Sequence, residues 1–600
     1  MNLIEKIIAN HSKYESVKPC DIVDIEIDAR AARDFGGPNV VKTMIEKDLS
    51  IDNPSKTFFT FDTNPTGSDQ KYAVNQQIVR VWARNNGVKV YDIDNGIGTH
   101  TMINEGIIVP GSTAVTTDSH ANILGAIGAF GQGMGDQDIA AAFNSGKVWF
   151  KVPESIKLII NGLAPDNVSA KDIVLNLLNK FGANTLLGYS VELYGELVDK
   201  LSLSDRITIA SMGTEMGVII LLFPPNDAIM AFAEKACGRK LEKIAADKDA
   251  IYAQTIEIDA TQFVPMVSRP GAPHDTIAIP EQAKIKIDSA FVGSCTNGRI
   301  EDMREVARIL KNRKVAPGVV LKIVPSTDDV WRQAMDEGLF TIFKDAGALI
   351  SNAGCAGCAA GQVGQNGPGE VTISTGNRNF LGKQGKGSVY LSSPASAAAS
   401  ALAGYITDEH NIPEVPLTFH PEEKLAKMQK ELLDKSTDKK PINIEGRVWY
   451  IKEDNIDTDM IFHNRYIAIT DIAEMGQYTF DNLKGYEDFA KKAKSGDIVV
   501  VTKNFGSGSS RQQAVDCFKS IGIQAIIAKS FGAIYERNAI NAAFPIMTYQ
   551  SITDLHLVDG DLINVNFETG LIENKTKDTQ INATPFYEVQ MEIYQQGGLF

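Results

Sequence analysis

The sequence predicts an α/β protein built from more than one compact unit. Three observations lead there. Apolar β-rich runs alternate with helical patterns along most of the chain, the chain has 600 residues, and a strongly charged stretch at 421–441 interrupts the alternation. At roughly 150 residues per domain, that length suggests about four folding units, each able to bury its own core.

In chain order, Lys157 to Ile160, Arg206 to Ile209, Ile285 to Val292, Val319 to Val324, Ile498 to Val501 and Gln524 to Ile527 read as strands. Gly131, Gly133 and Gly135 resemble a dinucleotide loop only superficially. No strand leads directly into them and the third glycine comes one position early for GxGxxG, so close backbone packing is the better reading. The stretch PEEKLAKMQKELLDKSTDKKP carries one short amphipathic helix, Leu425/Met428/Leu432, and ends in a Lys-rich turn and Pro441. It reads as a linker. Beyond it, a strand at Val448 to Ile451, the loop Asn455 to Asp459, and two strand–loop–helix units centred on Phe505 and Phe531 form a self-contained domain of about 155 residues.

A hydrophobic content of 44% with 22% charged residues is that of a globular protein, and no apolar run approaches the roughly 18 residues of a membrane span. Met1 to Ser16 lacks the longer apolar core of a secretory signal, so a cytoplasmic location is expected. A net charge of −15 argues against nucleic-acid binding, and an anionic substrate would need a local basic pocket.

Six cysteines are too few for a disulfide scaffold in so long a chain. Cys295 lies in FVGSCTNGR, and Cys355 and Cys358 lie in SNAGCAGCAAG, both Gly-rich. A CxxC pair also occurs in zinc sites and redox pairs, but no second CxxC or HxxxH stands nearby to complete a structural zinc set. Three thiolates on an iron–sulfur cluster would leave one iron open, as a Lewis-acid catalyst requires. Cys20, Cys237 and Cys517 sit in no comparable loop and read as small buried hydrophobes. The loop Gly506 to Arg511 follows a strand and opens a helix, where free backbone N–H groups can hold an anion, although the lysine of a P-loop is missing.

GSCTNGR, the GCxxC loop and STGNRNFLGKQG (Ser374 to Gly385) together resemble the large-subunit signature of the aconitase family. The similarity extends to EKIIANHS, TTDSHANILGAIGAFGQGMGDQD, SMGTEMG, NIDTD and NFGSGSSR, which span nearly the whole chain. The resemblance implies three α/β/α subdomains around an iron–sulfur site (1–190, 191–282 and 283–408), a linker (409–444) and an α/β swivel domain (445–600), so that no separate small subunit is needed. It further implies an active site formed between the first three subdomains and the last, and a hydro-lyase acting on a hydroxy di- or tricarboxylate.

Carried across motif by motif, the resemblance makes Cys295, Cys355 and Cys358 the ligands of a [4Fe–4S] cluster with one iron not ligated by protein. Ser509 becomes the base, while Arg378, Lys383, Arg511, Ser510 and Ser119 become substrate contacts. His100 with Asp118, and His120 with Glu215, match acid–imidazole pairs, and Asp62 matches a further acidic position. Arg465, after NIDTD, is a candidate carboxylate contact.

Two departures stand out. FDTNPT has Thr63 where the family has an imidazole that protonates the leaving hydroxyl, which makes His100 the expected substitute. NFLGK has Lys383 in place of an arginine fork. The lengths before and after the linker favour a 3-isopropylmalate or homoaconitate dehydratase over an aconitate hydratase. A low-activity relative with a regulatory RNA-binding role is opposed by the acidic balance and the short linker.

Overall fold

The computed structural model describes residues 1–65, 70–279, 284–358, 363–417, 439–509 and 511–599. The chain forms two compact units, Met1–Glu423 and Lys424–Phe600. Each is α/β, as the alternating pattern predicts. The helix expected at Leu425/Met428/Leu432 lies outside the described residues.

The first unit contains three principal sheets. One is a five-stranded parallel sheet whose central strand, β1 (Ala29–Arg33), is flanked by β2 (Thr57–Thr60) and β3 (Thr113–Thr116), with Lys89–Tyr91 and β4 (Phe130–Gly133) at the edges. Every residue of β1, β2 and β3 is buried, as expected for parallel strands covered on both faces. Gly131 and Gly133 lie in β4 itself rather than in a loop. A Cβ at Gly131 would meet the Ala121 carbonyl oxygen at 2.1 Å, and one at Gly133 the Asp118 carbonyl oxygen at 2.5 Å. Their role is therefore close backbone packing.

A second, four-stranded parallel sheet includes Ser155–Asn161. The segment Arg206 to Ile209, whose alternation suggests a strand, instead lies in helix α1 (Leu203–Ser211). Ser202 caps it in a reciprocal box with Asp205, and this local start signal overrides the β-branched residues that follow.

The third sheet has seven strands, five of them parallel: Ser388–Leu391, Val371–Ser374, β5 (Ser289–Val292), Val320–Ile323 and Leu349–Ile350. Among them, β5 runs into the Cys295 loop, Leu349–Ile350 into the Cys355 loop, and Val371–Ser374 into the Arg378 loop. Three sequence motifs thus leave the carboxyl ends of one parallel sheet, where ligands bind in open α/β folds.

The second unit has one seven-stranded sheet, half parallel and half an antiparallel meander, centred on Asn443–Ile451. Within it, β6 (Ile498–Val501) leads through Phe505 to α2 (Gln513–Ser520), and β7 (Ala525–Ala528) leads through Phe531 to α3 (Ala533–Asn541). Phe505 packs edge-on against Tyr535 at 5.2 Å, and both are buried. Among the described residues, no helix is long and apolar enough to cross a membrane.

Candidate active site

A cavity of about 310 Å³ opens in the first unit at the ends of the parallel strands. Cys295 and Cys355 line it from the third sheet, with Arg378 and Lys383, and Asp118, Ser119 and His120 line it from the loop after β3. Arg33, Phe35, Thr63 and Tyr72 complete the wall.

Neither cysteine is in a disulfide and both are buried. Each loop holds a non-glycine residue in the left-handed region beside its cysteine, Ser294 at φ 75° and Ala356 at φ 46°. Backbone strain of this kind costs on the order of 1–3 kcal/mol and persists where the surroundings over-determine it. The Cys295 sulfur accepts a hydrogen bond from Asn377 Nδ2 at 3.3 Å, and the Cys355 sulfur accepts one from Arg33 Nη2 at 2.6 Å. The backbone of Cys358 closes the short 3-10 turn that follows Cys355.

Sequence reasoning missed Arg33. It ends β1, and its Nε donates to Asp62 at 2.7 Å after β2, while its Nη1 lies 3.2 Å from Asp118 after β3. The order β2-β1-β3 puts acid, base and acid in a row. Burial pushes the Asp62 carboxyl up to about 6 despite Arg33, with Asp34 and Asp118 adding to the shift. For Asp118 burial acts the same way, but Arg33 and His120 prevail and hold its carboxyl well below the usual carboxylate range. Removing one partner from a buried set of this kind costs about 3–5 kcal/mol. The signal in the sequence was slight, a basic residue closing the run ARAAR.

His120 joins Glu215 at 3.2 Å through Nε2 and stands 3.7 Å from Asp118 through Nδ1. Burial works against its protonation, but the two carboxylates prevail and hold its pKa above the ordinary imidazole value. Glu215 also accepts from Arg378 Nε at 2.8 Å, so one buried carboxylate ties the imidazole to a cavity cation. Among the described residues, no carboxylate pairs with Lys383.

The expected pairing of His100 with Asp118 is not formed. His100 is fully buried and does not line the cavity; its Nε2 donates to the Cys295 carbonyl at 3.0 Å, which leaves Nδ1 as a bare acceptor with no partner among the described residues. Burial, with Arg299 adding to it, pushes this imidazole down to about 3. It holds the Cys295 loop and is a poor acid. Thr63 does line the cavity, with its backbone N–H held by Asp34 at 3.0 Å and its buried hydroxyl without a partner among the described residues.

In the second unit, Ser509 is exposed in a loop that requires glycine. Gly506 has φ 74°, and a Cβ there would meet the Tyr535 ring at 2.2 Å. Thr458 of the NIDTD loop stands 3.3 Å from Ser509 Oγ and donates to its carbonyl at 3.1 Å. Arg511, which is buried, donates to Asp459 at 2.6 Å and to the Phe462 carbonyl at 2.9 Å. Two motifs separated in sequence are thus packed together. Arg465 is half exposed and paired with Asp481 at 2.7 Å. Ser510 lies outside the described residues. Cys20 and Cys237 are not buried as expected; Cys20 is exposed on a left-handed turn at φ 75°, and only Cys517 sits in a core.

The family model described as the aconitase family (aconitate hydratase) matches residues 5–286 and 280–404, and that of the aconitase C-terminal domain matches 449–551. The probable 3-isopropylmalate dehydratase large subunit of Methanothermobacter thermautotrophicus is 38% identical over 412 residues, covering 68% of this chain and 98% of that protein. The 3-isopropylmalate dehydratase large subunit of Syntrophus aciditrophicus is also 38% identical, over 411 residues, with the same coverage of 68% and 98%. Among solved structures, a 3-isopropylmalate dehydratase from Methanocaldococcus jannaschii is 36% identical over 26% of this chain and 90% of its own, with a TM-score of 0.25.

Proposed function

The chain belongs to the aconitase family, and on that premise we propose that it removes water from, and returns it to, a hydroxy di- or tricarboxylate of the 3-isopropylmalate or homoaconitate type. Membership makes the chain a hydro-lyase and implies an iron–sulfur cluster. The observation that carries the proposal is the one cavity in which two motif cysteines, an imidazole held by two carboxylates, and the cations Arg378 and Lys383 converge.

The donor set fits such a group, because two buried unbridged thiols share the cavity wall and the third cysteine follows on the same turn. We assign Cys295, Cys355 and Cys358 as ligands of a [4Fe–4S] cluster with one iron left without a protein ligand. When bound, it supplies a Lewis acid for the substrate's hydroxyl and the adjacent carboxylate.

The chain's own residues do the rest. Arg378 and Lys383 hold the carboxylates, with Ser119 at the cavity wall, and Ser510 and Arg511 are assigned to the same task from the second unit. Ser509 takes the C–H proton. His120, charged through Glu215 and Asp118, delivers a proton to the departing hydroxide and recovers it in the reverse direction. Asp62 keeps Arg33 in place and accepts from the Gly98 N–H at 2.9 Å. The match of 449–551 to the C-terminal domain supports catalysis by this one chain.

The test is anaerobic iron–sulfur reconstitution of the full chain, followed by hydration of isopropylmaleate, homoaconitate, cis-aconitate and citraconate with no second polypeptide. Turnover is expected, with the highest kcat/KM for isopropylmaleate or homoaconitate. Preference for cis-aconitate would make the chain an aconitate hydratase, and no turnover on any of the four would defeat the reading.

A threonine hydroxyl is a hydrogen-bonding group but a poor acid, so Thr63 orients the reacting oxygen while His120 carries the proton. Thr63→His is therefore expected to leave kcat within about tenfold, roughly 1.4 kcal/mol, while His120→Ala loses about 10²–10⁴-fold. Because the active form of His120 is protonated and its pKa is raised, wild-type rate should persist above the ordinary imidazole range and fall as pH rises further. A gain of several orders of magnitude in Thr63→His would show that the chain lacks its acid.

A further inference from the structure

All three nitrogens of the Arg33 guanidinium are engaged inside the protein. Nε donates to Asp62 at 2.7 Å, Nη1 lies 3.2 Å from Asp118, and Nη2 donates to the Cys355 sulfur at 2.6 Å. The Arg33 backbone N–H donates to Thr117 Oγ1 at 2.9 Å, and the ring of Phe35 lies 5.6 Å from the guanidinium carbon. The Cys355 backbone N–H in turn donates to the Asp62 carbonyl at 2.9 Å, so the cysteine loop and the arginine share one anchor. Arg33 lines the cavity, but three of its five N–H groups are directed at protein atoms, one from each nitrogen, which fixes the guanidinium in place. Its neighbours Arg378 and Lys383 are less committed: among the described residues, Arg378 donates to Glu215 through Nε alone, and Lys383 has no carboxylate partner.

We infer that Arg33 is a positioning residue for the cluster rather than a clamp for the substrate, fixing the Cys355 sulfur and setting how readily the bound cluster is reduced and how long it survives in air. The inference rests on the assignment of Cys355 as a ligand. Its physical basis is general. Hydrogen bonds to the sulfurs and nearby charge set the potentials of iron–sulfur centres, and loss of a group that holds a metal ligand typically costs about 10–100-fold in metal affinity or activity. An N–H donor and a fixed positive charge at the sulfur both favour the reduced cluster and oppose its oxidative loss. Asp62 and Asp118 hold the donor in one orientation, which a flexible side chain would not maintain.

The experiment uses the full chain reconstituted anaerobically, as wild type, Arg33→Lys, Arg33→Gln and, for comparison, Arg378→Gln. The midpoint potential is followed by EPR, the cluster's half-life by its absorbance in air, and KM and kcat are measured separately. Both Arg33 variants should load iron and sulfide, reduce at a lower potential than wild type, and lose the cluster at least about tenfold faster, at the lower end of the effect of such supporting groups. Their KM should change little. Arg378→Gln should do the reverse, raising KM while leaving potential and half-life in place. Arg33→Lys keeps a cation between the two carboxylates, so it carries the test should Arg33→Gln fail to fold. Unchanged potential and half-life in Arg33→Lys, with a raised KM, would overturn the inference and make Arg33 a substrate contact. A wild type that takes up no iron and sulfide would overturn the ligand assignment itself, and this inference with it.

Discussion

Replacing Cys355 with serine is expected to leave a folded chain with neither cluster nor turnover. The thiol is buried, faces the cavity and is fixed on both sides, through its sulfur by Arg33 and through its backbone by Asp62. A serine oxygen keeps the volume but is a poor ligand for iron, and with only three protein ligands assigned there is no spare. Cys295→Ser and Cys358→Ser should behave alike. Cys20→Ser is the control, because Cys20 is exposed on a turn outside the cavity, and it should retain full iron and sulfide. Full iron and sulfide in Cys355→Ser would show that the ligand set is wrong.

Ser509→Ala should separate the chemistry from the metal. The cluster is expected to load as in wild type, because Ser509 belongs to the other compact unit and to no cysteine loop. Turnover should fall by about 10²–10⁴-fold, the usual cost of deleting a general base. The backbone of the loop should survive the change, since Thr458 also grips the Ser509 carbonyl and Gly506 supplies the left-handed turn. Exchange of the substrate's C–H proton with solvent is the direct readout. Wild-type exchange in Ser509→Ala would assign the base to another group.

Much of this site was legible in the sequence because its residues sit in short motifs at the ends of strands, and strands of β-branched residues are readable from composition. The strands at Val320–Ile323, Ile498–Val501 and Ala525–Ala528 fell where the apolar runs placed them. Arg206 to Ile209 did not, because the same β-branched residues follow a serine–aspartate capping box that starts a helix. The partners of side chains were harder to read. Arg33 and Cys355 are 322 positions apart, and only the packing of two sheets brings them together.

The pairing of His100 failed for a related reason. A motif supplies a histidine and an aspartate, but burial decides their partners. Asp118 turned to Arg33 and His120, both within its own sheet layer, and His100 was left to the Cys295 carbonyl. That choice also fixes its proton on the wrong nitrogen for an acid. The proposed acid is therefore His120, whose two carboxylates lie in TTDSHAN and GTEMG and whose imidazole reaches the cavity.

The central claim is that this chain alone, carrying its cluster, adds and removes water at a carboxylate substrate. The most direct measurement is the transfer of ¹⁸O from labelled water into the hydroxyl of the product formed from isopropylmaleate or homoaconitate, with cluster content determined on the same sample. Incorporation should rise in proportion to cluster content in the wild type and be absent in Cys355→Ser. A fully loaded wild type that incorporates no label from either substrate would contradict the account.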